Sequence, residues 1–249
     1  MVGASDLAPP AARCAHLSGA APTPVGGDGQ LRGTRRQRVA HFDKELEGPV
    51  TLDLFIEPKS AIVVPGRPEC ELCEETRDLR EDVASLSDQI TLTVHDVRTE
   101  SALARDTGVS RVSTLLLRGA ARGVVRYLGI PAGLEFGTLL EDLAAVSRGT
   151  TTLKQESRTK LASLTKPVHV QVFVTPTCPY CPKVASLAHQ AAVESGHVTA
   201  DVVEISEFPD LAAQYQVRGV PKIVMNDTVE LVGAQPEAAF VDAMLRAAA

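Results

Sequence analysis

The chain has 249 residues, a formal net charge of -6, 44% apolar and 22% charged residues, which fits a soluble globular protein with room for two compact domains and excludes a disordered or fibrous chain. The acidic balance argues against a nucleic-acid surface, because phosphate binding normally draws on a basic face. Aromatic residues make up only 4%, so the cores must be aliphatic, and no apolar run approaches the length of a membrane span.

Residues 1–38 are rich in Ala, Gly, Pro and Arg without periodicity and read as a disordered tail. They lack the apolar segment of a secretory signal, so the expectation is a cytoplasmic protein without membrane partners. Arg32, Arg35, Arg36 and Arg38 read as solvated charge and Cys14 as incidental. An alternating apolar run at 50–56 predicts a strand, and the pair Cys70/Cys73 follows. Helical spacing over 79–86 and a strand over 90–97 come next. The segment Val109-Ser110-Arg111-Val112-Ser113 then leads into an apolar strand.

The same order recurs. An amphipathic stretch at 153–164 predicts the helix that opens the second half, with a boundary near Arg148. A strand at 168–174, the pair Cys178/Cys181, helical spacing over 184–193 and a strand over 198–205 follow, then Val217-Arg218-Gly219-Val220-Pro221. Cys70 to Ser113 and Cys178 to Pro221 both span 43 positions, and Gly129 to Phe136 and Gly233 to Phe240 both span seven. Two copies of one supersecondary unit explain this spacing. Each reads strand, Cys-x-x-Cys, helix, strand, turn, two-stranded hairpin and closing helix. The predicted organisation is a tail at 1–38, a first unit at 39–148 and a second at 149–249.

A Cys-x-x-Cys pair beside a strand-helix-strand pattern is the thioredoxin-like signature. From about Val39 onward the chain resembles the glutaredoxin-like protein disulfide oxidoreductases of archaea and thermophilic bacteria. The resemblance rests on Phe173-Val174-Thr175-Pro176-Thr177-Cys178-Pro179-Tyr180-Cys181-Pro182, on Val220-Pro221-Lys222-Ile223-Val224 and on Gly129-Ile130-Pro131-Ala132-Gly133. It implies an α/β fold of two tandem thioredoxin-like units, each a central mixed sheet flanked by helices. It also implies dithiol exchange with protein disulfides, no bound cofactor, and electrons drawn from NADPH through a separate thioredoxin-reductase-type flavoprotein. The amino-terminal region of the alkyl hydroperoxide reductase flavoprotein is similar too, and it implies a peroxiredoxin as the alternative recipient of electrons.

Thiol exchange needs a thiolate, and a free cysteine with a pKa of about 8.5 is mostly thiol near neutrality. Placing Cys178 at a helix start aims unpaired N–H groups and the positive end of the dipole at its sulfur. Pro179 suits the first turn, and Cys181 lies three positions on, on the same face, as the resolving thiol. Pro179, Tyr180, Val220 and Pro221 are the candidate substrate-binding residues. From the residues alone Pro221 could be an edge-strand trans proline, whereas the resemblance implies a cis bond that presents the preceding backbone to an extended peptide. Lys183 reads as an exposed lysine.

The first site differs. Glu69, Glu71, Glu74 and Glu75 crowd Cys70 and Cys73, and negative charge disfavours a thiolate. This predicts a weaker nucleophile at Cys70 and a secondary, more reducing redox pair. The loop is longer, Phe55 to Cys70 spanning 15 positions against 5 from Phe173 to Cys178, with Pro58, Pro65, Gly66 and Pro68 in it. Ser113 stands where the plan calls for proline, and a trans bond is expected there. His189 and His197 read as surface residues, and Asp53, on the strand where thioredoxins carry a buried acid, reads as an exposed strand residue in preference to that acid. No metal is expected, although a non-catalytic module with zinc-binding or structural Cys pairs is the reading from another class.

Overall fold

The computed structural model describes residues 42–58 and 72–249. Cys14, Cys70, the arginines of the tail and most of the long first loop lie outside the described residues.

After a short 3-10 helix at Asp43–Glu45, the first half runs β1 (Val50–Ile56), α1 (Cys73–Ala84), β2 (Ile90–Asp96), α2 (Ser101–Asp106), β3 (Thr114–Arg118), β4 (Val124–Leu128) and α3 (Glu135–Arg148). The second runs α4 (Gln155–Ala162), β5 (Val168–Val174), α5 (Cys181–Glu194), β6 (Val198–Glu204), α6 (Pro209–Gln214), β7 (Lys222–Met225), β8 (Val229–Val232) and α7 (Glu237–Ala247). The strands at 50–56 and 168–174 stand where alternation places them. Helices α1 and α5 begin earlier than their apolar spacing suggests, because the second cysteine of each pair opens the helix.

Each half is a mixed sheet of the same plan. β1 pairs parallel with β2 and antiparallel with β3, which pairs antiparallel with β4, and β5 relates in the same way to β6, β7 and β8. The two sheets do not stay separate. β4 pairs parallel with β6, so the order is β2-β1-β3-β4-β6-β5-β7-β8 in one eight-stranded sheet. Tandem thioredoxin-like folds therefore share a continuous sheet.

β5 is covered on both faces, with Val168, Val170, Val172 and Val174 buried on one and Gln171 and Phe173 on the other. Ala185, Ala188, Ala191 and Ala192 of α5 are buried too, and such small side chains let the helix lie close to the sheet and to α3. The turn before β4 closes the end of α5: Gly123 N–H donates to the Ala192 carbonyl at 2.8 Å and Arg122 N–H to that of Val193 at 3.2 Å. A Cβ on Gly123 would stand 2.3 Å from the Val198 carbonyl oxygen, so only glycine permits this approach.

Under the β4–β6 joint lies a buried ion pair. Arg126 donates from Nε and Nη2 to the two oxygens of Asp201 at 2.7 and 2.9 Å, and His169 Nε2 reaches Asp201 Oδ2 at 2.7 Å. Burial works against the Asp201 charge, but His169 and Arg126 outweigh it and hold the carboxyl below its ordinary range. Removing one partner leaves a buried charge uncompensated. Arg126→Met is expected to destabilise the protein by about 3 to 5 kcal/mol in equilibrium urea unfolding at pH 7.

Two expectations are corrected here. Asp53 is not exposed: it is 1% accessible, because β1 is flanked on both edges by β2 and β3. Its carboxylate pairs with Arg118 and with His95 at 3.2 Å, and His95 reaches Glu100 at 2.8 Å. His189 is fully buried within α5 rather than on the surface, whereas His197 is exposed. Among the described residues no helix is long and apolar enough to cross a membrane.

Candidate active site

The second cysteine pair sits where β5 ends. Thr175, Pro176 and Thr177 turn the chain, and Cys178 N–H donates to the Thr175 carbonyl at 3.2 Å. Cys178 therefore lies in the turn before the helix, and the residue that opens α5 is Cys181, with Pro182 rather than Pro179 in its first turn. The two cysteines form a disulfide. Cys178 is 7% accessible and Cys181 is not accessible at all. Pro179 is exposed and Tyr180 is 65% exposed at the rim, while Lys183 is exposed as expected.

β7 brings the second candidate segment alongside. Phe173 pairs with Lys222 in the antiparallel register, and one further step sets Pro221 beside Val174 and Val220 beside Thr175. The Val220–Pro221 bond is cis, and the Pro221 carbonyl accepts from Gly233 N–H at 2.8 Å.

The first site repeats this frame with different chemistry. Phe55 pairs with Thr114, which places Ser113 beside Ile56, and the Ser113 carbonyl accepts from Gly129 N–H at 2.8 Å. The Val112–Ser113 bond is cis, not trans. The correction has a plain reason: the same strand register and the same carbonyl contact dictate the backbone in both units, and the residue type does not override them. Cys73 opens α1, is buried, and is disulfide-bonded. Its helix buries Thr76, Arg80 and Val83 behind it, at the helical spacing that in α5 buries Cys181, Val184, Ala188 and Ala191.

Arg80 and Thr76 thus stand where the second unit has Ala188 and Val184. The Arg80 guanidinium donates through Nη2 to the Gly129 carbonyl at 3.3 Å, while its Nε and Nη1, Thr76 Oγ1 and Ser113 Oγ have no hydrogen-bond partner among the described residues. Burial lowers the Arg80 pKa to about 9, against the pull of Glu207 and Tyr127. Helix α1 thus carries a buried cation that no local pattern announces.

Another residue that sequence reasoning missed is Glu135, the first residue of α3. Gly133, at φ +60°, approaches the loop before Cys178 so closely that a Cβ there would stand 2.4 Å from the Pro176 carbonyl oxygen. Leu134 N–H donates to that same oxygen at 3.0 Å. One helical stride further on, Asp142 of α3 meets His189 of α5 at 2.5 Å. These two contacts set α3 and α5 side by side and parallel, with Glu135 and Cys181 at their adjoining first turns. Glu135 is buried, and among the described residues its carboxyl has no strong partner, only the Thr138 hydroxyl one turn along its own helix. Burial raises its pKa to about 7; His189 pulls it down, Asp142 pushes it up and Thr138 pulls it down. A glutamate in a first helical turn ordinarily reads as a complement to the helix dipole, so no local signal marks it.

A carboxyl with a folded pKa of about 7 against an ordinary 4.5 makes the native state bind the proton more tightly than the unfolded chain. Its stability is intact below about pH 4.5 and falls as the pH rises to about 7. Glu135→Gln is therefore expected to stabilise the oxidised protein by about 3 kcal/mol at pH 8 and far less at pH 5, read from urea midpoints.

Among the described residues no group of three His, Cys, Asp or Glu side chains is arranged to hold a metal ion. Residues 168–246 match the family model of the thioredoxin domain. The chain is 33% identical over 78 residues to a thioredoxin of Methanocaldococcus jannaschii, which covers 31% of this chain and 92% of that one. A protein disulfide oxidoreductase from Aeropyrum pernix superposes with a TM-score of 0.76 at 31% identity, over 86% of this chain and 92% of its own. The NTD_N/C domain of alkylhydroperoxide reductase AhpF from Enterococcus faecalis does so with a TM-score of 0.75 at 25% identity, over 85% and 98%.

Proposed function

This chain belongs to the protein disulfide oxidoreductase family, and we propose that its thiol-disulfide exchange runs through Cys178 as nucleophile and Cys181 as resolving thiol. The observation that carries the assignment is the Cys178–Cys181 disulfide, with the inaccessible cysteine opening α5 and the other held in the turn before it.

The Cys178 thiolate attacks one sulfur of a substrate disulfide, forming a mixed disulfide and releasing the other sulfur as thiolate. Cys181 then gives its proton to Glu135 and attacks the Cys178 sulfur. The second substrate thiolate leaves, and the Cys178–Cys181 disulfide forms. A shielded thiol needs a base within the protein, and the Glu135 carboxylate is poised for it because its pKa lies near neutrality. An extended substrate segment lies along Val220 and Pro221, with Pro179 and Tyr180 at the rim.

Residues 39–148 and 149–249 act as two redox units, of which the first, with Cys70 and Cys73, is secondary. Two electrons from NADPH return the oxidised pair to dithiol through a separate flavoprotein reductase in the cytoplasm, where thiols stay reduced. The likeness to the AhpF domain supports such a reductase system. It also supports a second reading, delivery of electrons to a peroxiredoxin, which peroxide-dependent NADPH oxidation with purified partners would distinguish.

Cys178→Ser is expected to abolish reduction of insulin disulfides, and Cys70→Ser to leave most of it. The reverse ranking would move the working site to the first unit. Glu135→Gln is expected to slow resolution about 100-fold at pH 7.5, so that the mixed disulfide accumulates on Cys178 in acid-quenched samples.

A further inference from the structure

We infer that His189, charged and locked against Asp142, is a positioning residue that fixes the pH at which Glu135 takes the proton of Cys181. The inference rests on the reading of Glu135 as that proton acceptor.

The protonation of His189 follows from its partners. Nδ1 faces Asp142 Oδ2 at 2.5 Å and Nε2 faces the Arg126 carbonyl oxygen at 3.1 Å. A carboxylate and a carbonyl only accept, so both ring nitrogens donate and the ring is an imidazolium. Burial opposes that charge, but Asp142, the Arg126 carbonyl and Asp201 outweigh it and the net pull is upward. Tyr127 OH also donates to Asp142 Oδ2 at 2.5 Å, and its ring packs edge-on against His189 at 4.7 Å between centroids. Both ring nitrogens of His189 are thereby held in place, and the ring cannot turn away from the helix that carries Glu135.

Glu135 differs in that its one side-chain neighbour for hydrogen bonding is the Thr138 hydroxyl of its own helix, so its proton affinity answers mainly to burial and to charge. The groups that bear on it are His189 from α5, and Asp142 and Thr138 from its own helix. Tyr127 of β4 is in turn pushed up by burial and by Asp142, Glu135 and Glu141. Burial by itself would keep the acid protonated at neutral pH, and an acid already protonated accepts nothing. The buried imidazolium offsets that penalty across a medium of low dielectric, where a single charge acts strongly over a helical stride. The Tyr127 donation spreads the opposing charge of Asp142.

The test follows resolution directly. Reduced protein is reacted with an aromatic disulfide such as dithionitrobenzoate, and the adduct on Cys178 is followed by acid quench and peptide mass between pH 5.5 and 9.5. In the natural protein its decay should accelerate through a midpoint near the Glu135 pKa of about 7. In His189→Gln the midpoint should move alkaline by about one unit, so that decay slows about fivefold at pH 7 and recovers by pH 9. An unmoved midpoint in a folded His189→Gln protein overturns the inference. Glu135→Gln should lose the acceleration altogether; if it keeps the natural midpoint, the acceptor assignment itself fails, which is a different result. Nitrogen NMR of His189 in the natural protein gives an answer without any variant: two protonated ring nitrogens at pH 7 support the inference, and a neutral ring overturns it.

Discussion

Parallel pairing of β4 with β6 is the constraint on which the site depends. It joins the last strand of one unit to the second strand of the other and lays Arg126 directly across from Asp201. That pair is bidentate and buried, so the joint costs little only while both partners are present. The helix that follows β4 and the helix that precedes β6 must then lie together on one face. That packing sets the first turn of α3, with Glu135, beside the first turn of α5, with Cys181, although the two belong to different copies of the repeat. A single thioredoxin-like unit of this chain would have the cysteines without the acid.

Buried polar groups at this joint fall into two kinds. Arg126, Asp201, His169, Asp142, Tyr127 and His189 are bonded to one another or to backbone, and such a network rigidifies what it touches. Glu135 stands outside that network, with only the Thr138 hydroxyl of its own helix beside it. So loosely held a carboxyl is free to change its protonation state with the chemistry. A glutamate bonded as Asp201 is would hold its charge across the neutral range and could not exchange a proton there.

Much of this was legible in the residues. Alternation in β1 and β5, the equal spacing from cysteine to Ser113 or Pro221, and the Cys-Pro-Tyr-Cys segment carry the fold and the reactive pair, because strand faces and repeat spacing are local properties. What could not be read depends on partners far along the chain. Asp53 looks like a strand residue facing water until Arg118 and His95 are placed beside it. His189 lies among alanines and looks exposed until Asp142, 47 residues earlier, meets its ring. Ser113 reads as a trans residue from its type, but its backbone is dictated by the register of β1 and β3 and by Gly129.

The two cysteine sites diverge for the same reason. In the second unit the face of α5 behind Cys181 is valine and alanine, so the charge there comes from the neighbouring helix α3. Behind Cys73 the helix itself supplies Thr76 and a buried guanidinium, while Glu75 faces solvent. Solvent screens an exposed carboxylate far more than it screens a buried cation. Of the glutamates around the first pair, Glu75 is the one whose side chain is described, and its exposure weakens its hold on the sulfur. Among the described residues the two sites differ in what stands behind the buried cysteine: Thr76 and Arg80 in one unit, valine and alanine in the other.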